Sequence, residues 1–143
     1  LKLDAKDVSK VDLVIAAGTA SFGYPEIGRG FVPAMVMTML RRSVGEKRAF
    51  DLVATGRAVP AAEALDMGLI SRVVADEGFE SVVAAVLEQL AGQSVTAHAL
   101  TKQLFTELDD RSFNDGILLG ARVNALSRST PDFREAIATF LKS

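Results

Sequence analysis

Apolar positions fall into two regimes along the chain. Up to about residue 75, short apolar runs alternate with glycine and proline; from residue 76 on, the pattern reads as nearly continuous helix. VDLVIAA (11–17) is a β-branched run stopped by Gly18, which predicts a buried strand. SFGY (21–24) predicts a second short extended piece. Pro33 suits the first turn of a helix that AMVMTMLRRSV continues to Gly45, and its largely apolar content predicts a well-buried element. EKRAFDLVAT predicts a second helix with Gly56 as its stop, and PAAEALDM a third, closed by Gly68. LISRVV (69–74) is strand-like.

In the second regime Phe79, Val82, Val83, Val86 and Leu90 recur at helical spacing and form one stripe. Leu100, Leu104 and Leu108 mark a further helix. Another is predicted from Ser112 to Arg128, with Phe113, Ile117, Gly120, Ala121 and Asn124 on one side. Thr130 followed by Pro131 predicts a cap and first turn, leading to a last helix striped by Phe133, Ile137 and Phe140. The expected organisation is therefore α/β over residues 1–75 and a helical module over residues 76–143. That module carries more apolar surface than a few helices bury by themselves, so it is expected to pack on the front half or on another subunit.

Composition narrows the function classes. The 143 residues are 49% hydrophobic and 24% charged with net charge −2, the profile of a globular domain. No basic stripe interleaved with aromatics points to nucleic acid. The sequence has no cysteine, which excludes disulfides, thiolate metal sites and a cysteine nucleophile within these residues. A single histidine, His98, excludes multi-histidine metal sites and reads as a surface or satisfied structural residue of its helix. The longest apolar run, residues 32–40, is far short of the roughly 18–20 residues of a membrane span. No metal, nucleic-acid or membrane partner is expected, and a cytoplasmic location, or an organelle interior, fits. Arg41, Arg42, Lys47 and Arg48 cluster at a helix end, a solvated patch or a phosphate or subunit contact. GYPEIGRG lacks the strand–GxGxxG–helix context of a dinucleotide site. Within it, Glu26 follows a rigid Tyr-Pro step; such an acid is most often solvated or capping a nearby backbone N–H, and a positioned catalytic carboxylate is the minority reading.

VDLVIAAGTASFGYPEIGRGFVP, continued by LRRSVGEKRAFDLVATGRAVPAAEALDMGLISRVV, resembles the enoyl-CoA hydratase/isomerase (crotonase) superfamily. The shared pattern is an Asp-containing strand (Asp12), A-x-F-x-x-P-E (Ala20, Phe22, Pro25, Glu26), a glycine turn (Gly30), and a proline-led helix (Pro33). L-x-T-G (Thr55, Gly56), A-x-E-A-x-x-x-G-L (Ala61, Glu63, Ala64, Gly68, Leu69) and a closing valine run (Val73) follow in order. The resemblance implies the C-terminal part of a ββα spiral followed by helices that mediate trimer contacts. It implies acyl-CoA substrates, with coenzyme A as part of the substrate and no separate cofactor. It implies Glu26 as catalytic acid/base, and Pro25, Phe140 and Lys142 as substrate-binding residues. A homo-oligomer, trimer or dimer of trimers, is the implied assembly.

Departures from the family pattern accompany the match. Only the C-terminal half of the family's span is covered, so the chain is expected to be a fragment or rearranged product. LKLDAKDVSK (1–10) has no glycine where the family carries a Gly-Gly-Gly turn, and Lys6 stands where hydratases carry a second glutamate. After Pro33 this chain has Ala34, Met35, Val36 and Met37 in place of small residues, which makes that helix bulkier. Three readings stay open: an enoyl-CoA hydratase, a Δ3-Δ2 enoyl-CoA isomerase, which needs one carboxylate only, and a non-catalytic assembly module.

Overall fold

A computed structural model describes Val8 and residues 11–142; the segment around Lys6 lies outside the described residues. They form two compact units, the first ending at Ala84 and the second beginning at Ala85. No helix among the described residues is long and apolar enough to cross a membrane.

The first unit holds four short strands, β1 (Ile15–Ala17), β2 (Ser21–Phe22), β3 (Val59–Pro60) and β4 (Arg72–Val74). Between β2 and β3 lie a 3-10 helix (Pro25–Arg29), α1 (Ala34–Val44) and α2 (Glu46–Thr55); α3 (Ala61–Asp66) joins β3 to β4. β1 pairs in parallel with β4, Ala16 opposite Val73, and β2 pairs antiparallel with β3, Phe22 opposite Val59. A parallel pair needs a long crossover, and here it is the whole run from β2 to α3. The core gathers Phe22, Tyr24, Leu40, Leu52, Val59, Ala61 and Ala64, all nearly or fully buried.

The strands are shorter than the apolar runs predict, for a local reason. The N–H groups of Leu69 and Ile70 donate to the Ala64 carbonyl at 2.9 and 3.4 Å, so they close α3 instead of extending β4. Ser71 and Arg72 N–H then donate to Val14 C=O at 3.0 and 3.1 Å, and regular pairing starts only one residue later, at Ile15. α1 is also less buried than expected. It buries Val36, Leu40 and Val44, whereas Met35 on its other face is 79% exposed.

The second unit takes up the end of α4 (Phe79–Ala91) and all of α5 (Val95–Glu107), α6 (Phe113–Ser127) and α7 (Pro131–Phe140). Each of the last three opens on a hydroxyl cap: Ser94, Ser112 and Thr130 accept from the N–H groups of Ala97, Asp115 and Phe133 at 3.0, 3.2 and 3.3 Å. Asp132 ties two of these ends together, accepting from Ser94 Oγ at 2.5 Å and from Thr96 N–H at 3.4 Å. These donors hold the Asp132 carboxyl below its ordinary range, the Ser94 hydroxyl most of all. None of α5, α6 or α7 contains a buried residue.

Candidate functional site

The Pro-Glu step follows directly on a buried core residue of the first unit. Tyr24, only 1% exposed, leads directly into Pro25, which is the first residue of the 3-10 helix and fixes its own φ. The helix ends on Gly30 in the left-handed region, φ 76°, whose N–H donates to the Ile27 and Glu26 carbonyls. Phe31 N–H also donates to Glu26 C=O at 3.1 Å. The Glu26 backbone is thereby held from both sides, while its side chain belongs to a half-buried residue.

That side chain is the anomaly of the unit. Glu26 Oε2 is buried and has no hydrogen-bond partner among the described residues. A carboxylate oxygen withdrawn from water without a donor is costly, and such unsatisfied groups in a folded chain call for a functional or environmental explanation. The residues that follow it in sequence include exposed apolar ones: Ile27 is 46% exposed, Phe31 67% and Val32 76%.

Behind the 3-10 helix sits the turn after α2. Gly56 adopts φ 62°, and a side chain there would meet Tyr24 C=O at 3.5 Å and the Pro25 Cα at 3.6 Å. The neighbouring Arg57 guanidinium is held by two helices. Its Nη2 and Nη1 donate to Glu63 Oε1 and Oε2 at 2.7 and 3.1 Å, and its Nε donates to Asp51 Oδ2 at 3.0 Å. Hydrogen bonding to Arg57, reinforced by its charge, holds the Glu63 carboxyl below its ordinary range, and the two acids raise the Arg57 pKa in turn. Arg57 was not singled out in the sequence. The available signal is its placement six residues after Asp51 and six before Glu63.

Pro25 and Glu26 thus stand together in the first unit, Pro25 exposed. Phe140 and Lys142 stand together in the second, at the end of α7, where Phe140 is 74% exposed and Lys142 is exposed. His98 is an exposed residue of α5, and Arg41 makes a loose 3.7 Å ion pair with Glu46 across the α1–α2 turn. Among the described residues no group of three or more His, Cys, Asp or Glu side chains is placed to hold a metal. In the second unit, Leu104, Leu108, Phe113 and Ile117 line an open groove of about 660 Å³ between α5 and α6.

Residues 8–142 match the sequence profile of the enoyl-CoA hydratase/isomerase family. A Thermus thermophilus relative is 40% identical over 131 residues, covering 92% of this chain and 52% of that one. The crystal structure of an enoyl-CoA hydratase from Mycobacterium smegmatis superposes with a TM-score of 0.91 at 27% identity, covering 96% of this chain and 54% of its own. A Thermobifida fusca structure solved in complex with acetoacetyl-CoA superposes with a TM-score of 0.77 at 28% identity, covering 83% of this chain and 47% of its own. The chain belongs to the enoyl-CoA hydratase/isomerase family and has the architecture of a partial crotonase domain. It spans about half the length of the relatives it matches.

Proposed function

We propose that the protein performs acid/base chemistry on an acyl-CoA thioester, as an enoyl-CoA hydratase, with Glu26 as the proton-transferring group. The observation that carries this reading is the buried, unpartnered Glu26 Oε2 on a backbone clamped by Tyr24, Pro25 and Gly30. Hydration of a double bond conjugated to a thioester takes a proton from water as its oxygen bonds the β-carbon. It gives a proton to the α-carbon of the enolate-like intermediate. A carboxylate held at a fixed place serves either transfer. Developing charge on the thioester oxygen is met by backbone amides in reactions of this kind.

Family membership and the acetoacetyl-CoA carried by the Thermobifida fusca neighbour support an acyl-CoA as substrate. Pro25 borders the acid and lines the reacting end in this reading. Phe140 and Lys142 offer an exposed aromatic face and a cation to the coenzyme A portion. Coenzyme A enters as part of the substrate, and no further cofactor takes part. The working form is a homo-oligomer, a trimer or dimer of trimers, supported by the uncovered apolar surface of α5–α7. The isomerase reading draws on Lys6, since a single carboxylate moves a proton between two carbons without a second acid.

Assay with crotonyl-CoA and with a 3-enoyl-CoA, beside Glu26→Gln, tests the assignment. The substitution is expected to lower kcat on the preferred substrate by about 10²- to 10⁴-fold, the usual contribution of a positioned acid/base. Turnover unchanged in Glu26→Gln overturns it.

A further inference from the structure

We propose that Arg57 is a positioning residue for Glu26, acting through the Gly56 turn; the inference rests on the acid/base reading of Glu26. Residues 56–58 lie against residues 23–25 at more than one point. The Gly56 backbone faces Tyr24 C=O and the Pro25 Cα, where an added Cβ would stand 3.5 and 3.6 Å away. One residue before Tyr24, the position of a Cβ on Gly23 lies 3.5 Å from the Arg57 carbonyl and 3.8 Å from the Ala58 Cα. The strip is therefore the floor on which the Pro-Glu step rests.

Arg57 fixes that floor from the outside. Its fork is engaged on three nitrogens, two on Glu63 of α3 and one on Asp51 of α2, so the turn is tied to both helices it connects. A guanidinium imposes orientation as well as charge on a carboxylate pair, which an ammonium does not. Loss of the fork leaves the turn held by its backbone and by the Thr55 hydroxyl, which accepts from Arg57 N–H at 3.4 Å, and lets the floor shift. A shift of about 1 Å in a catalytic group lowers turnover by up to roughly 10²-fold while substrate contacts elsewhere persist.

The chain carries its own reporter of this seat. Tyr24 is the single tyrosine of the 143 residues, there is no tryptophan, and Tyr24 is 1% exposed. The experiment compares the full chain with Arg57→Ala, Arg57→Lys and, as a milder variant, Glu63→Gln. Acrylamide quenching of tyrosine emission is measured in parallel with kcat and KM on crotonyl-CoA. Arg57→Ala and Arg57→Lys are expected to quench at least about twofold more readily than wild type. They are expected to lose about 10- to 100-fold in kcat with KM held within about twofold. Glu63→Gln, which keeps one acceptor for the fork, is expected to fall between. Wild-type quenching and kcat in Arg57→Ala, or a rise in KM with kcat unchanged, overturns the proposal, as does a lowered Tm with neither readout altered. Absence of acyl-CoA turnover in the wild type defeats the functional reading, and quenching then still decides whether Arg57 seats the Tyr24 step.

Discussion

At Gly56 and Gly30 the same backbone requirement meets two different surroundings, which separates conformation from packing. Both residues are left-handed, at φ 62° and 76°, where a Cβ crowds the following carbonyl. Space around Gly30 is open, whereas a Cβ on Gly56 would touch Tyr24, Pro25 and Ile27 at 3.5 to 3.8 Å. Those distances are ordinary van der Waals contacts, so the torsion and not a clash sets the cost at both sites. Gly56→Ala and Gly30→Ala are therefore each expected to lose about 1 to 2 kcal/mol in urea unfolding. A Gly56→Ala penalty several times that of Gly30→Ala would show that the turn lies tighter on residues 24–27 than these distances allow. Glu26 belongs to the same scale: its backbone is over-determined by Pro25 and Gly30, while one of its oxygens is left without a donor among the described residues.

Between elements, the Asp51–Arg57–Glu63 bridge is what joins α2 to α3, and its pH dependence has a definite sign. The Glu63 carboxyl is held below its ordinary 4.5, first by the hydrogen bond from Arg57 and then by its charge. The folded chain thus takes up this proton less readily than the unfolded one. The bridge's stabilisation is fully present above the ordinary value and is lost as pH falls through the lower, folded value. Urea midpoints followed from neutral pH to below 4.5 should fall on acidification in the wild type and fall less steeply in Glu63→Gln; parallel profiles would remove the bridge from the stability of the fold. Asp132, lowered by Ser94 and Thr96, adds an acid dependence of the same sign that both proteins share. The sequence pattern shows the helices of this region clearly, because Pro33, Gly45, Gly56, Pro60 and Gly68 punctuate them. It shows the strands poorly. The segments 11–17 and 69–74 became strands of three residues each, β4 because Leu69 and Ile70 spend their N–H groups on Ala64. The rigid mounting of Glu26 was legible through Pro25 and Gly30, whereas the anchoring of Arg57 was not, since it comes from two acids brought to it by folding.

For the chain as a whole, the deciding quantity is apolar surface that its own folding leaves uncovered. The stripes that mark α6 and α7 in the sequence are real in the sense that they share helix faces, yet they are not buried. Phe113 is 83% exposed, Ile117 60% and Phe140 74%, and the α5–α6 groove that Phe113 and Ile117 line stands open. Periodicity reveals which side of a helix is apolar; it carries no information on whether the covering surface comes from the same chain. Monomeric proteins rarely leave contiguous apolar patches of more than a few hundred Å² in water. Association between copies would cover such faces, and it predicts a concentration-dependent sedimentation coefficient above that of a 15.2 kDa monomer. Ile117→Lys on the groove face should shift that equilibrium toward monomer and raise the binding of a hydrophobic dye, because the rest of the surface is then exposed to it. A wild-type chain that sediments as a monodisperse monomer at every concentration and binds no dye would mean that these faces find cover within the single chain.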